Sequence, residues 1–175
     1  MWPVGWGTSS AIHNHAGKYA QAETDARKTF ELEPSYPPAH WSLAWTYERE
    51  RKYPEAIQEF QKALELSNHS PLAMAILGQA YAEAGQKHKA MKILNEILRL
   101  RTEKKYVSAY NVAALYAGLE QKQQALDWLN IAYKEDDPWL IQLTYDLRFD
   151  KIRADDRFQS LMRRMEFFKH GASQS

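Results

Sequence analysis

The chain has 175 residues and a formal net charge of +1, with 45% hydrophobic and 26% charged residues. This size suits one globular unit or one short repeat array, and this composition argues against a disordered chain. The balanced charge gives no general attraction to nucleic acid or to an anionic membrane, and the lack of cysteine excludes disulfides and thiolate metal sites.

The chain also lacks an apolar run near the roughly 20 residues that span a bilayer. Its first residues have neither the basic nor the apolar part of a signal peptide. We therefore expect a cytoplasmic protein that binds neither a membrane nor nucleic acid.

Residues 1–18 are predicted to be an irregular segment with a degenerate first helix, because their prolines and glycines disfavour helix. One interpretation is a frayed or shortened helix. The other is that the chain is the C-terminal part of a longer protein, so that the helix at 19–33 exposes an apolar face. Trp2 and Trp6 are then candidates to cover that face, within the chain or from a second copy.

Further along the chain, apolar spacing and turn residues predict helices at 19–33, 38–51, 54–67, 71–84, 87–101, 107–119 and 122–135. An alanine that follows a turn recurs at steps of 34, 34 and 35 residues, at Ala22, Ala56, Ala90 and Ala125. In the same frame, a small residue is followed by tyrosine three residues later, in the pairs Ala44 and Tyr47, Gly78 and Tyr81, and Ala113 and Tyr116. Small side chains let two helices approach closely, and the aromatic rings fill the remaining gaps.

A period of about 34 residues is typical of helix–turn–helix repeats. Residues 19–133 resemble tetratricopeptide repeats, above all in PPAHWSLAWTYERERKYPEAIQEFQKALEL and SPLAMAILGQAYAEAGQKHKAMKILNEIL. The resemblance implies an all-α fold, a right-handed α-α superhelix of about 3.5 helix pairs with C-terminal capping helices. We therefore expect an array at 19–136 and capping helices with a short tail at 137–175.

The C-terminal residues predict two capping helices. Asp136 or Asp137 can cap a helix that begins at Pro138 or Trp139, and a second helix starts near Asp155. The first carries Leu140, Ile141 and Leu143, and the second is predicted to bury Phe158, Leu161, Met162 and Met165.

The DLRF and DDRF sequences at 146–149 and 155–158 are similar to a paired DPRF ending found in bacterial tetratricopeptide proteins. Leu147 and Asp156 stand where that group usually has proline. The preceding YVSAYNVAALYAGLEQKQQALDWLNIAYKE resembles the same group, in which such arrays often follow a signalling or DNA-binding domain. The resemblance thus implies the C-terminal region of a bacterial signalling or regulatory protein.

The resemblance also implies that the first helix of each pair lines a concave groove that binds a protein or peptide. The groove residues placed on this sequence are Trp41, Trp45, Glu48, Arg49, Gln79, Glu83 and Tyr110, with Leu72, Ala75, Val107 and Ala114 between them. Trp41 and Trp45 are four residues apart and project from one face, and tryptophan, tyrosine and arginine often dominate binding energy. The neighbouring Arg49 could hold a carboxylate or stack on a ring. Trp41 lies one place beyond a common packing tryptophan, so a core role for it stays open.

The carboxylate clamp of chaperone-binding relatives needs lysine, asparagine and a lysine–arginine pair. The corresponding positions here are Gly7, Ala11, Ser42, Leu72 and Ile76, and none of them fits. That mode of binding is therefore disfavoured.

The sequence also suggests two other functions. The first is self-assembly into a homo-oligomer through the poorly capped N-terminal end. The second is an esterase-like hydrolase, motivated only by Ser9 and Ser10 near His13 and His15. No group of histidines has ligand spacing, and His40, His69 and His88 fall at helix starts and loops, where they are predicted to be solvated. We therefore expect no metal, no cofactor and no catalysis.

Overall fold

The structure of the chain is a computed structural model that describes Thr24, Lys28 and residues 36–171, with side chains as far as residue 165. Every regular element within 36–171 is a helix, which confirms the predicted all-α fold. The α-helices are α1 (Pro37–Arg49), α2 (Tyr53–Leu66), α3 (Pro71–Glu83), α4 (Lys87–Thr102), α5 (Ala109–Gly118), α6 (Lys122–Lys134) and α7 (Asp156–Gly171), and two 3₁₀ helices, η1 (Pro138–Thr144) and η2 (Leu147–Ile152), precede α7. From α1 to α6, each helix begins and ends within two residues of its predicted bounds. The helix predicted at 19–33 lies outside the described residues, apart from Thr24 and Lys28, which are both helical.

The chain divides into two compact units, residues 1–90 and 91–175. The described part of the first unit holds α1, α2, α3 and the first turn of α4. The second unit holds the rest of α4 together with α5, α6, η1, η2 and α7. Within the part of the chain that the structure describes, no helix has the length and apolar character needed to cross a membrane.

Prolines and serines fix where the helices begin. Proline occupies one of the first two helical positions of α1, α2 and α3, where its missing N–H donor breaks no helical hydrogen bond. The Ser70 hydroxyl oxygen caps α3 by accepting from the Ala73 N–H at 3.2 Å. Ser108 caps α5 in the same way, accepting from the Asn111 N–H at 3.2 Å.

The helices from α1 to α6 all end in the same backbone turn. Two residues beyond each helix the backbone is left-handed, at Arg51, Asn68, Gly85, Lys104, Glu120 and Asp136. The next N–H then donates to a carbonyl oxygen five residues earlier, over 2.8 to 3.1 Å, which is a Schellman motif. Glycine adopts this conformation without strain, but among these six positions only Gly85 is glycine. Asparagine and aspartate tolerate it at Asn68 and Asp136, whereas Arg51, Lys104 and Glu120 hold side chains in a conformation that disfavours them.

Alanines let α1 and α2 pack closely in the first unit. Ala44 of α1 and Ala56 and Ala63 of α2 are completely buried. The ring of Phe60 fills the space that these small side chains leave, and it is buried as well. The interface therefore has the small-and-aromatic composition that the repeat predicted.

A buried pair of ionisable side chains crosses the same interface. His40 Nδ1 lies 2.7 Å from Glu59 Oε2, and Lys62 Nζ donates to the other carboxylate oxygen over 2.8 Å. Burial alone would raise the pKa of Glu59, but the hydrogen bonds and charges of Lys62 and His40 hold it below its usual value. The prediction that His40 is solvated is wrong, because its ring is only 3% exposed and is satisfied inside the interface.

The core of the second unit lies between α5, α6 and the residues that follow α6. Its largest wholly buried side chains include Tyr110, Leu129, Leu143, Phe149, Phe158 and Leu161. The helix predicted at Pro138 is a 3₁₀ helix, and η2 was not predicted. Buried residues in η1 and η2 lie three apart, which suits the three residues per turn of a 3₁₀ helix.

A nine-residue repeat organises the C-terminal segment, which we define as residues 137–165. Asp137, Asp146 and Asp155 each accept the backbone N–H two residues later, over 3.0, 3.0 and 2.9 Å. Apolar side chains are buried three and six residues after each aspartate, as Leu140 and Leu143, Phe149 and Ile152, and Phe158 and Leu161. Each aspartate thus starts a helical turn that directs two side chains into the core.

Candidate partner-binding site

One side of α1 carries Trp41, Trp45 and Arg49 at four-residue intervals, which we call the tryptophan stripe. The Trp45 ring centre lies 6.5 Å from that of Trp41 and 6.4 Å from that of Phe60, which it meets edge-on at 71°. Trp45 is 38% exposed, whereas Trp41 is half-buried. The indole of Trp45 is therefore held by two aromatic neighbours while part of it faces solvent.

Arg49 lies at the C-terminal end of the stripe and is exposed. Within residues 36–165 its guanidinium takes part in no hydrogen bond or ion pair. The charges beside it are engaged, since Glu50 pairs with Lys52 over 2.7 Å and Glu48 interacts with another group. Arg49 is thus a positive charge beside an aromatic surface.

Two of the four predicted groove positions of α3 are buried. Ala75 and Gln79 are buried, Leu72 is half-buried, and Glu83 is exposed. Alanine and glycine lie on several sides of α3, so neighbouring side chains can approach it closely and enclose Gln79. The prediction that Gln79 is open to a partner is therefore wrong, whereas Glu83 remains at the surface.

Tyr110 was predicted to face a partner, but it is 0% exposed. Its hydroxyl donates to Asp146, and its ring lies 5.5 Å from that of Phe149, so the start of η2 and its capping residue cover it. Val107 and Ala114, the other predicted groove positions of this pair, are buried as well. The structure therefore removes Tyr110 from the accessible surface.

The charges around Tyr110 explain why its hydroxyl can be buried. Arg148 donates to both carboxylate oxygens of Asp146 and lies 5.8 Å from the centre of the Tyr110 ring. Burial and the charge of Asp146 raise the pKa of Tyr110. Burial would raise the pKa of Asp146 too, but the hydrogen bonds and charge of Arg148 lower it. The cluster is a structural contact between α5 and η2.

The sequence missed a second apolar surface, on η1 and the residues after it. Ile141, Tyr145 and Leu147 are 61%, 58% and 58% exposed. Their outward position follows from the nine-residue repeat, in which only the third and sixth residues after each aspartate are buried. Recognising that spacing would have assigned Ile141 to the surface.

Two family models match the chain, and each carries the description tetratricopeptide repeat. One matches residues 48–119 and the other residues 15–71, so together they span 15–119. The whole tryptophan stripe lies inside that span. No curated protein matches the chain significantly.

Proposed function

We propose that this chain, which belongs to the tetratricopeptide repeat family, is a protein-binding scaffold that holds a peptide segment of its partner against the tryptophan stripe of α1. Repeats of this family generally mediate protein–protein interaction. The observation that carries the proposal is Trp45, a tryptophan packed against Phe60 and Trp41 yet 38% exposed. Tryptophan and arginine are among the residues that most often dominate interface energies.

The residues have separate roles in this proposal. Trp45 supplies the apolar contact, Trp41 supports its ring, and Arg49 supplies charge. Glu48 next to Arg49, and the exposed Glu83 of α3, are the polar groups that the proposal retains. The proposal no longer uses Gln79 or Tyr110, because both are buried.

A peptide-selection experiment tests this function. Peptides selected from a displayed library on the full chain are measured against Trp45→Ala and against Tyr106→Ala. Tyr106 is a matched control, since it is a highly exposed aromatic residue of the other unit. Removing an interface tryptophan costs about 2 kcal/mol or more, so we expect Trp45→Ala to weaken binding at least ~30-fold and Tyr106→Ala to leave it unchanged.

Far-UV circular dichroism and urea unfolding show whether Trp45→Ala keeps its fold. Equal binding by a folded Trp45→Ala variant would refute the assignment to α1. Greater loss with Tyr106→Ala would move the site to the second unit.

The other functions considered from the sequence depend on residues outside those that the structure describes. Self-assembly involves 1–18, and light scattering of the chain with and without residues 1–15 tests it. Hydrolase activity involves Ser9, Ser10 and the nearby histidines, and a panel of ester substrates tests it. The relation to bacterial regulators and the cytoplasmic location stay predictions.

A further inference from the structure

The spacing of the tryptophan stripe matches the spacing of side chains in an extended segment. Trp45 and Arg49 are four residues apart, which is about 6 Å along the axis of an α-helix. In an extended chain, alternate side chains point to the same side and are about 6.6 Å apart. An extended segment lying along α1 therefore meets successive members of the stripe with every second residue.

Charge then selects the side chain that lies next to Arg49. An arginine guanidinium presents a planar fork of donors that matches a carboxylate in two parallel hydrogen bonds. Nearby acidic side chains do not occupy Arg49, because Glu50 pairs with Lys52 and the guanidinium forms no ion pair within residues 36–165. A carboxylate of the bound segment would complete the site.

Apolar surface selects the neighbouring side chains. The exposed part of Trp45 lies one helical turn before Arg49, and the half-buried Trp41 lies one turn before that. A side chain two residues from the carboxylate would therefore lie on Trp45, and one two residues further on would reach Trp41. Burying an aliphatic side chain on such a surface removes apolar area from water and favours binding.

From this geometry we propose that the partner presents an extended segment in which an acidic side chain follows or precedes an apolar side chain at a spacing of two residues. The acidic residue binds Arg49 and the apolar residue packs on Trp45. This inference rests on the proposed function and names the chemistry of its ligand. The carboxylate is that of a side chain within the segment, so the segment can be internal to the partner.

Synthetic peptides test the spacing and the charge separately. The parent peptide contains Leu-Ser-Leu-Ser-Glu and is acetylated and amidated to remove its terminal charges. A second parent peptide has the reversed sequence, so that both chain directions are tested. The comparison peptides replace Glu by Gln, or move Glu next to the second Leu. Affinities for the full chain are measured by fluorescence polarisation. We expect the parent in one of the two directions to bind about tenfold more tightly than either change, since a charged hydrogen bond contributes about 1.5 kcal/mol or more.

Protein variants identify the residue that reads the charge. Arg49→Gln should abolish the preference for Glu over Gln, whereas Arg51→Gln, a neighbouring exposed arginine, should preserve it. Arg49→Glu should prefer a peptide with Lys in place of Glu. Equal affinity for the Glu and Gln peptides, or a preference that survives Arg49→Gln, would overturn the inference.

The two proposals fail differently. Peptides that bind in a Trp45-dependent way without any preference for Glu contradict this inference and leave the proposed function standing. If neither parent peptide binds, the inference fails. If library peptides also bind Trp45→Ala as well as the unchanged chain, the proposed function fails too.

Discussion

The phenolic hydroxyl of Tyr110 donates to the carboxylate of Asp146, which lies 36 residues later in the chain. The bond joins α5 to the junction between η1 and η2, and Arg148 holds the same carboxylate. This contact helps to bury Tyr110, which was predicted to line the groove. Its contribution to stability can be measured.

Tyr110→Phe keeps the ring against Phe149 and removes only the hydroxyl. Asp146 retains Arg148 as a donor, so we expect a loss of about 1 to 2 kcal/mol in the free energy of unfolding, measured with urea. Tyr116→Phe is a comparison in the same unit, at a half-buried ring whose hydroxyl makes no hydrogen bond within residues 36–165. A loss no larger than for Tyr116→Phe would mean that the bond to Asp146 contributes little.

The same contact predicts how stability changes with pH. The pKa of Asp146 is lowered in the fold, so its contribution is present above the unfolded pKa of about 3.9 and is lost as pH falls through the folded value. The pKa of Tyr110 is raised, so its contribution is present below about pH 10 and is lost at higher pH. Urea unfolding as a function of pH should therefore show a smaller decline above pH ~10 for Tyr110→Phe than for the unchanged chain. Parallel declines would contradict this prediction.

The left-handed turn residues predict substitutions that stabilise the chain. Arg51→Gly and Lys104→Gly remove strain from positions that both have φ 60°, and we expect each to add about 0.5 to 1 kcal/mol. Gly85→Ala should cost about 1 kcal/mol, and since no atom lies within 4 Å of the added carbon, the cost would come from the backbone. Gln58→Gly, at an exposed position inside α2, should destabilise the chain by about 1 kcal/mol. This control would show that glycine stabilises the chain only at the left-handed turn positions. Thermal unfolding ranks the four variants.

The buried pair between α1 and α2 predicts an asymmetric response to substitution. Glu59→Ala leaves the His40 ring buried without its carboxylate, so we expect a loss of about 1 to 3 kcal/mol. Lys62→Ala should cost less than about 1 kcal/mol, because that side chain is 44% exposed and solvent screens its charge. A double-mutant cycle with His40→Ala then measures the coupling, and additive effects would show that the pair does not interact energetically.

Local chemistry explains which parts of the fold the sequence predicted. Pro71 and Ser70 mark the start of α3 through effects confined to neighbouring residues, so the helix bounds could be found without knowing the fold. The turn at Arg51 could not be predicted in the same way, because arginine disfavours the left-handed backbone that the helix end imposes.

The candidate site was predictable only in part, because exposure depends on what covers a residue. Trp45 could be placed on one face of α1 from its spacing alone. The burial of Tyr110 depends on Asp146 and Phe149, which approach it from a 3₁₀ segment that the sequence analysis did not anticipate. The burial of His40 could not be predicted for a related reason, since its partner Glu59 belongs to the next helix.

The nine-residue repeat of the C-terminal segment also allows that segment to align with the core in more than one register during folding. Shifting it by one repeat would again place an aspartate at a turn and two apolar side chains in the core. Contacts that belong to one aspartate only, such as Ser108 to Asp137 over 2.8 Å and Tyr110 to Asp146, distinguish the correct alignment from the shifted ones. These buried polar contacts therefore select one structure among near-equivalent alternatives, a role that the free energy of each bond alone does not measure.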